Sequence, residues 1–181
     1  MKSRIAMKKL LMLSLILMSP VHAKGILTGG DEILLQTSVW TRHYNPEPDH
    51  NNHQKLINLE YYFNDDVKLF VNPNQASWRD DVRWLVGGAT FKNSYDQQTL
   101  YLYGGGRYDY ALAENTHAYA KLTAGLLYGY RGEYKDKIPL NDLGVASVIL
   151  PAFGVQHRRV NLEVVPFAAA GVIVNAGFYF R

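Results

Sequence analysis

The chain has 181 residues, a length that suits one domain, and no cysteine, which excludes a disulfide framework and thiol chemistry. Hydrophobic residues make up 48% and charged residues 19%. Four of its 19 basic residues fall in the first 23 positions, which hold no acidic ones, leaving 15 basic against 16 acidic side chains. The net charge of +3 therefore belongs to the N-terminus, and no basic stripe with interleaved aromatics remains that would suit nucleic acid.

In chain order, residues 1–23 read as a signal peptide. Lys2, Arg4, Lys8 and Lys9 precede a short apolar run, Leu10 to Met18, and Val21-His22-Ala23 offers small residues for cleavage. The run is too short to span a bilayer as a helix. From residue 24 on, the dominant period is two, and eight segments can be delimited: 33–43, 55–63, 83–94, 99–109, 117–130, 143–156, 159–166 and 171–180. The fifth sets Ala118, Ala120, Leu122, Ala124, Leu126 and Tyr128 against Tyr119, Lys121, Thr123, Gly125 and Leu127. The last sets Val172, Val174, Ala176, Phe178 and Phe180 against Ile173, Asn175, Gly177 and Tyr179. In the third, Leu85, Gly87, Ala89 and Phe91 read as the outward, apolar face.

Export, segments of about ten residues, and 13 tyrosines with seven phenylalanines clustered near segment ends distinguish a membrane barrel from a soluble sandwich. The expectation is an all-β protein: an eight-stranded antiparallel transmembrane β-barrel over 24–181, monomeric, in an outer membrane. An even strand number places both termini on the periplasmic side and the connections after odd strands outside. Such a barrel is too narrow for a diffusion pore. Residues 64–82, with Pro73 and Trp78, are long for a periplasmic turn.

Candidate chemistry is sparse. Asp49-His50-Asn51-Asn52-His53 has metal-ligand spacing, but a solvated loop accounts for it better, and neither a metal nor a cofactor is expected. Gly104-Gly105-Gly106 lacks the Lys and helix of a phosphate loop and marks a site where bulk is removed. His117 and His157 sit near strand ends as interfacial polar residues. His43 and Ser94 end the first and third segments, so both reach the outer rim, where a His can act as general base for a Ser hydroxyl. Strict alternation from Val39 would turn His43 toward lipid, so a bulge or strand end must re-aim it. Pro151 and Pro166, on neighbouring strands, each remove a ladder donor. They either let a lipid chain pass sideways through the wall or cap strands near an interface.

At these residues the chain resembles the lipid A palmitoyltransferase (PagP) family. Phe91-Lys92-Asn93-Ser94-Tyr95 is similar to that family's Phe-Lys-Asp-Ser-Trp, which carries its functional serine. Ile138-Pro139-Leu140, Leu150-Pro151-Ala152 and Val165-Pro166-Phe167 resemble its proline-marked C-terminal half, and Leu122-Thr123-Ala124-Gly125 its Thr-Ala-Gly strand. The resemblance, from about Val39 to the C-terminus, implies transfer of a palmitoyl chain from a phospholipid to a hydroxyl-bearing chain of lipid A. It implies Ser94 as the functional serine, either nucleophile or positioning hydroxyl, and His43, in Trp40-Thr41-Arg42-His43, as the essential histidine and general base. Asn93 stands where the family has an acid, so an orienting carboxylate is either missing or supplied elsewhere, with Asp96 as one candidate. Gly105 takes the place of the glycine that floors the acyl pocket, roughly 18 Å below the rim at about 3.3 Å per residue and a tilt near 40°. A bulky residue there is expected to shorten the preferred chain. The family's N-terminal amphipathic helix has no counterpart in Lys24 to Glu32. Two rival readings keep the barrel: a non-enzymatic surface protein acting through loops 44–54 and 131–142, and a lipid A deacylase using the same His–Ser pair with water as acceptor.

Overall fold

The computed structural model describes residues 29–48, 50–70, 74, 77–141, 143–167 and 170–181. The expected signal segment, Asp49 and Pro73 lie outside them. Eight antiparallel strands close in sequence order into a barrel: β1 Glu32–His43, β2 Ile57–Tyr62, β3 Val82–Lys92, β4 Gln98–Ala113, β5 Thr116–Tyr128, β6 Val145–His157, β7 Val160–Phe167 and β8 Gly171–Phe180. β1 closes the ring against β8, from Ile33↔Phe180 to His43↔Gly171.

Period two sorts the side chains as a membrane requires. Leu35, Ile57, Leu102, Leu126, Ile149 and Leu162 lie exposed on the outside. Gln36, Asn58, Glu60, Arg107, Lys121 and Glu163 are buried inside. Apolar outside and polar inside inverts the soluble pattern and marks an outer-membrane barrel. Trp40 and Tyr128 toward one rim, and Tyr110, Phe178 and Phe180 toward the other, are outward aromatics at interface height. The short turns Glu114–Asn115 and Arg158–Arg159 lie on the side of the termini. The long segment after β2 ends in a single 3₁₀ turn, Trp78–Asp81, capped reciprocally by Ser77 and Asp80.

The sequence-based assignment of faces needs one correction. Leu85 and Ala89 of β3 are buried in the barrel, and a Cβ on Gly87 would meet the ring of Tyr103, so the face expected to look outward looks inward. Val86 takes the lipid side. Hydrophobicity misleads here because the outer half of this interior is itself apolar. Leu85 and Ala89 pack with Leu34, Tyr101, Tyr103 and Leu127. Beside this apolar cluster runs a polar layer. Lys121 pairs with Glu60 at 2.6 Å and Glu163 at 2.7 Å. Tyr103 and Tyr62 donate to Glu60 at 2.7 and 2.6 Å, and Arg107 lies over the Tyr119 ring.

Candidate active site

His43 reaches the interior through a register shift. Opposite β8, Ser38 pairs with Asn175 and Trp40 with Val174, so Val39 is an extra residue. It reverses the parity: Leu34 and Gln36 point inward before the bulge, Thr41 and His43 after it. His43 ends up 3% exposed, with Phe167 edge-on at 5.5 Å.

Ser94 arrives by a different route from the one its strand parity implies. With Leu85, Ala89 and Asn93 inward, an extended chain would send Ser94 out. The strand ends at Lys92 instead, and a tight turn follows, with Asp96 in the left-handed region at φ 56°. The Asn93 side chain organises it: Oδ1 accepts the Tyr95 N–H at 2.9 Å and the Gln97 N–H at 3.1 Å. The turn aims Ser94 Oγ at His43 Nε2, 2.8 Å away.

The other ring nitrogen, Nδ1, lies 2.8 Å from Asn52 Oδ1. An amide oxygen only accepts, so this contact places the imidazole proton on Nδ1 and leaves Nε2 free to accept from Ser94. The loop carrying Asn52 is laid across the end of β3 by backbone bonds. Asn51 N donates to Ser94 O at 2.6 Å, and Lys92 N to Gln54 O at 2.7 Å. Sequence reasoning missed Asn52, because one asparagine in a polar loop carries no spacing signal. Asp96, expected as a substitute carboxylate, is exposed and lies 3.5 Å from Lys92, so the group orienting His43 is Asn52. Tyr130 lies beside Ser94 at the mouth of the barrel. Burial raises its phenol above the ordinary range against the opposing influence of Ser94, keeping it a neutral hydroxyl.

Beneath this cluster lies a cavity of about 490 Å³. Ser94 and Asn93 stand at its mouth; Leu56, Phe91, Leu127, Val148 and Leu150 form its walls. Tyr101 and Tyr103, stacked at 4.6 Å, run down one side to Glu60, Lys121 and Glu163 at the bottom. Gly105, expected as its floor, is not among the lining residues. It faces inward, paired with Leu85 and Thr123, where a Cβ would collide with the Leu122 carbonyl oxygen. The glycine serves the close approach of β4 and β5.

The wall of the cavity is open on one side. The β6–β7 ladder runs only from His157↔Val160 to Phe153↔Val164. Residues 145–152 of β6 and 165–167 of β7 have no partner across that seam among the described residues. Pro151 and Pro166 lie on either side of it, and both line the cavity. The His50–His53 spacing assembles no metal set. His50 accepts from Glu47 N at 3.1 Å and stacks on His43 at 4.4 Å, and no cluster of three potential ligands occurs among the described residues.

No family model matches the chain. No curated protein matches it either. Among solved structures it is similar to the attachment invasion locus protein Ail of Yersinia pestis. The crystal structure matches with TM-score 0.39 and 12% identity, over 84% of this chain and all of that one. Its complex with the heparin analogue sucrose octasulfate gives 0.41 and 14%, and its backbone structure in a phospholipid bilayer nanodisc 0.36 and 13%, with the same coverage. At these values the likeness says nothing beyond the outer-membrane barrel that the strands already define.

Proposed function

We propose that this barrel is an outer-membrane acyltransferase that moves a palmitoyl chain from a phospholipid to lipid A. The observation that carries the reading is the 2.8 Å contact between His43 Nε2 and Ser94 Oγ at the mouth of a deep apolar cavity. A non-enzymatic barrel has no need to bury a histidine against a serine above a space shaped for a hydrocarbon chain. The open β6–β7 seam gives such a chain a lateral way in from the bilayer. The resemblance of residues 91–95 to the palmitoyltransferase motif supports lipid A as acceptor.

In this reading Ser94 Oγ attacks the ester carbonyl carbon of the phospholipid while His43 Nε2 takes the hydroxyl proton. The tetrahedral intermediate collapses, the C–O bond to glycerol breaks, and His43 returns the proton to the departing lysophospholipid oxygen. The acyl chain stays on Ser94, buried in the cavity. A lipid A hydroxyl then gives its proton to His43 and attacks the acyl-serine carbonyl, forming the new ester. Ser94 recovers its proton from His43. Asn52 is a positioning residue that holds the ring in the required tautomer.

The test is expression in a bacterium lacking its own lipid A palmitoyltransferase, with mass spectrometry of the extracted lipid A. A palmitoyl-sized gain that disappears in both His43→Ala and Ser94→Ala is the expected result. Loss of an acyl chain from lipid A would point to the deacylase. Unchanged lipid A from a folded barrel would leave the surface-protein reading, to which His43 and Ser94 are indifferent.

A further inference from the structure

The chemistry above needs a group that stabilises the negative charge on the carbonyl oxygen once Ser94 attacks. Around Ser94, the backbone donors of Asn93, Tyr95, Asp96 and Gln97 are engaged within the turn. One donor stands apart. Asn93 is 1% exposed and lines the cavity beside Ser94, and its Nδ2 has no hydrogen-bond partner among the described residues. The amide cannot be turned round, because its oxygen accepts two backbone N–H groups and a flip would set the NH₂ against both. A buried donor without an acceptor costs about 1–3 kcal/mol. Such a group calls for an explanation, and beside a nucleophile at a cavity a ligand or transition state supplies one by bringing the acceptor.

We propose that the Asn93 side-chain amide is the oxyanion donor of this site, a proposal that rests on the acyl-transfer reading. Its Nδ2–H₂ would bond the ester oxygen as it becomes negative, then release it when the carbonyl reforms. An aspartate, the residue of the resembling family at this position, has the same shape and can keep both backbone bonds of the turn. Ionised, it offers no donor and sets a second negative charge beside the first. Asn93→Asp therefore separates the two ideas. If residue 93 works as a family-type acid, the variant is as active as the wild type or more so. If it works as an oxyanion donor, the variant is crippled.

The experiment uses the full mature barrel in mixed micelles with dipalmitoyl phosphatidylcholine as donor and lipid A as acceptor. Lysophospholipid release is the readout, because it registers transfer and hydrolysis alike. Asn93→Asp is expected to lower kcat by about 10²–10³-fold with KM changed little, the signature of a contact made only in the transition state. Heat-modifiable gel mobility normalises each rate to folded barrel, so a purely structural defect would reduce folded protein and leave its kcat unchanged. Labelling of Ser94 by an alkyl fluorophosphonate, whose adduct carries a similar oxygen, should slow in parallel. An active wild type with Asn93→Asp at wild-type kcat overturns the oxyanion role and leaves the acyltransferase standing. A folded wild type that releases no lysophospholipid overturns both.

Discussion

At the scale of single residues the site separates into groups that would touch substrate and one that would act through another. Asn52 belongs to the second kind, and its exposure limits how much it can contribute. One solvent-accessible hydrogen bond is worth about 1 kcal/mol, because water replaces it when the side chain is cut back. Asn52→Ala is therefore expected to reduce acyl transfer by about five- to tenfold, far less than His43→Ala or Ser94→Ala. Asn52→Asp should restore the rate and also change its pH dependence. A carboxylate at Nδ1 favours the protonated ring, and only the neutral ring can accept the serine proton. The acidic limb of the rate–pH profile should then move to higher pH. An unchanged profile in Asn52→Asp would mean that Asn52 does not orient His43 during turnover.

At the scale of strands, legibility followed the strength of the alternation. β5 and β8 assigned both faces correctly, since Lys121 and Asn175 mark the inside and leucine, valine and phenylalanine the outside. β3 has no polar residue between Leu85 and Ala89, so the rule that apolar means lipid reversed it. The turn around Asn93, not the strand, aims Ser94 inside. The bulge at Val39 was required by His43 and is present, whereas Asn52, set by loop folding, left no periodic trace. Gly105 shows where counting along a resemblance stops short, because the count is right about the inward face but Gly105 is not among the residues that line the cavity. Gly105→Ala should leave the transferred chain length alone. It should instead lower the barrel's urea-unfolding stability by about 1–3 kcal/mol as β4 and β5 are forced apart. A shorter acyl chain on lipid A, with unchanged stability, would put Gly105 at the pocket floor after all.

For the molecule as a whole, the interior is divided across its height, and the division joins stability to the proposed chemistry. The outer half holds the cavity and its largely apolar walls; beneath it lies a plug of polar residues around Lys121. Around the cavity side chains pack less densely than in a filled core, so the plug carries more of the cohesion between strands. Lys121 is its centre: 5% exposed, it is shared between two carboxylates on strands across the barrel, Glu60 of β2 and Glu163 of β7. Lys121→Met would keep most of the volume but leave both carboxylates buried without their cation. The expected cost is about 3–5 kcal/mol, read as a lower urea midpoint in lipid vesicles. Adding Glu60→Gln and Glu163→Gln to Lys121→Met should recover part of that loss, because a neutral layer removes the buried charges instead of stranding them. If the triple variant were no more stable than Lys121→Met alone, the hydrogen bonds that Tyr62, Tyr103 and Tyr119 make to those carboxylates would have to be holding the plug instead of the lysine.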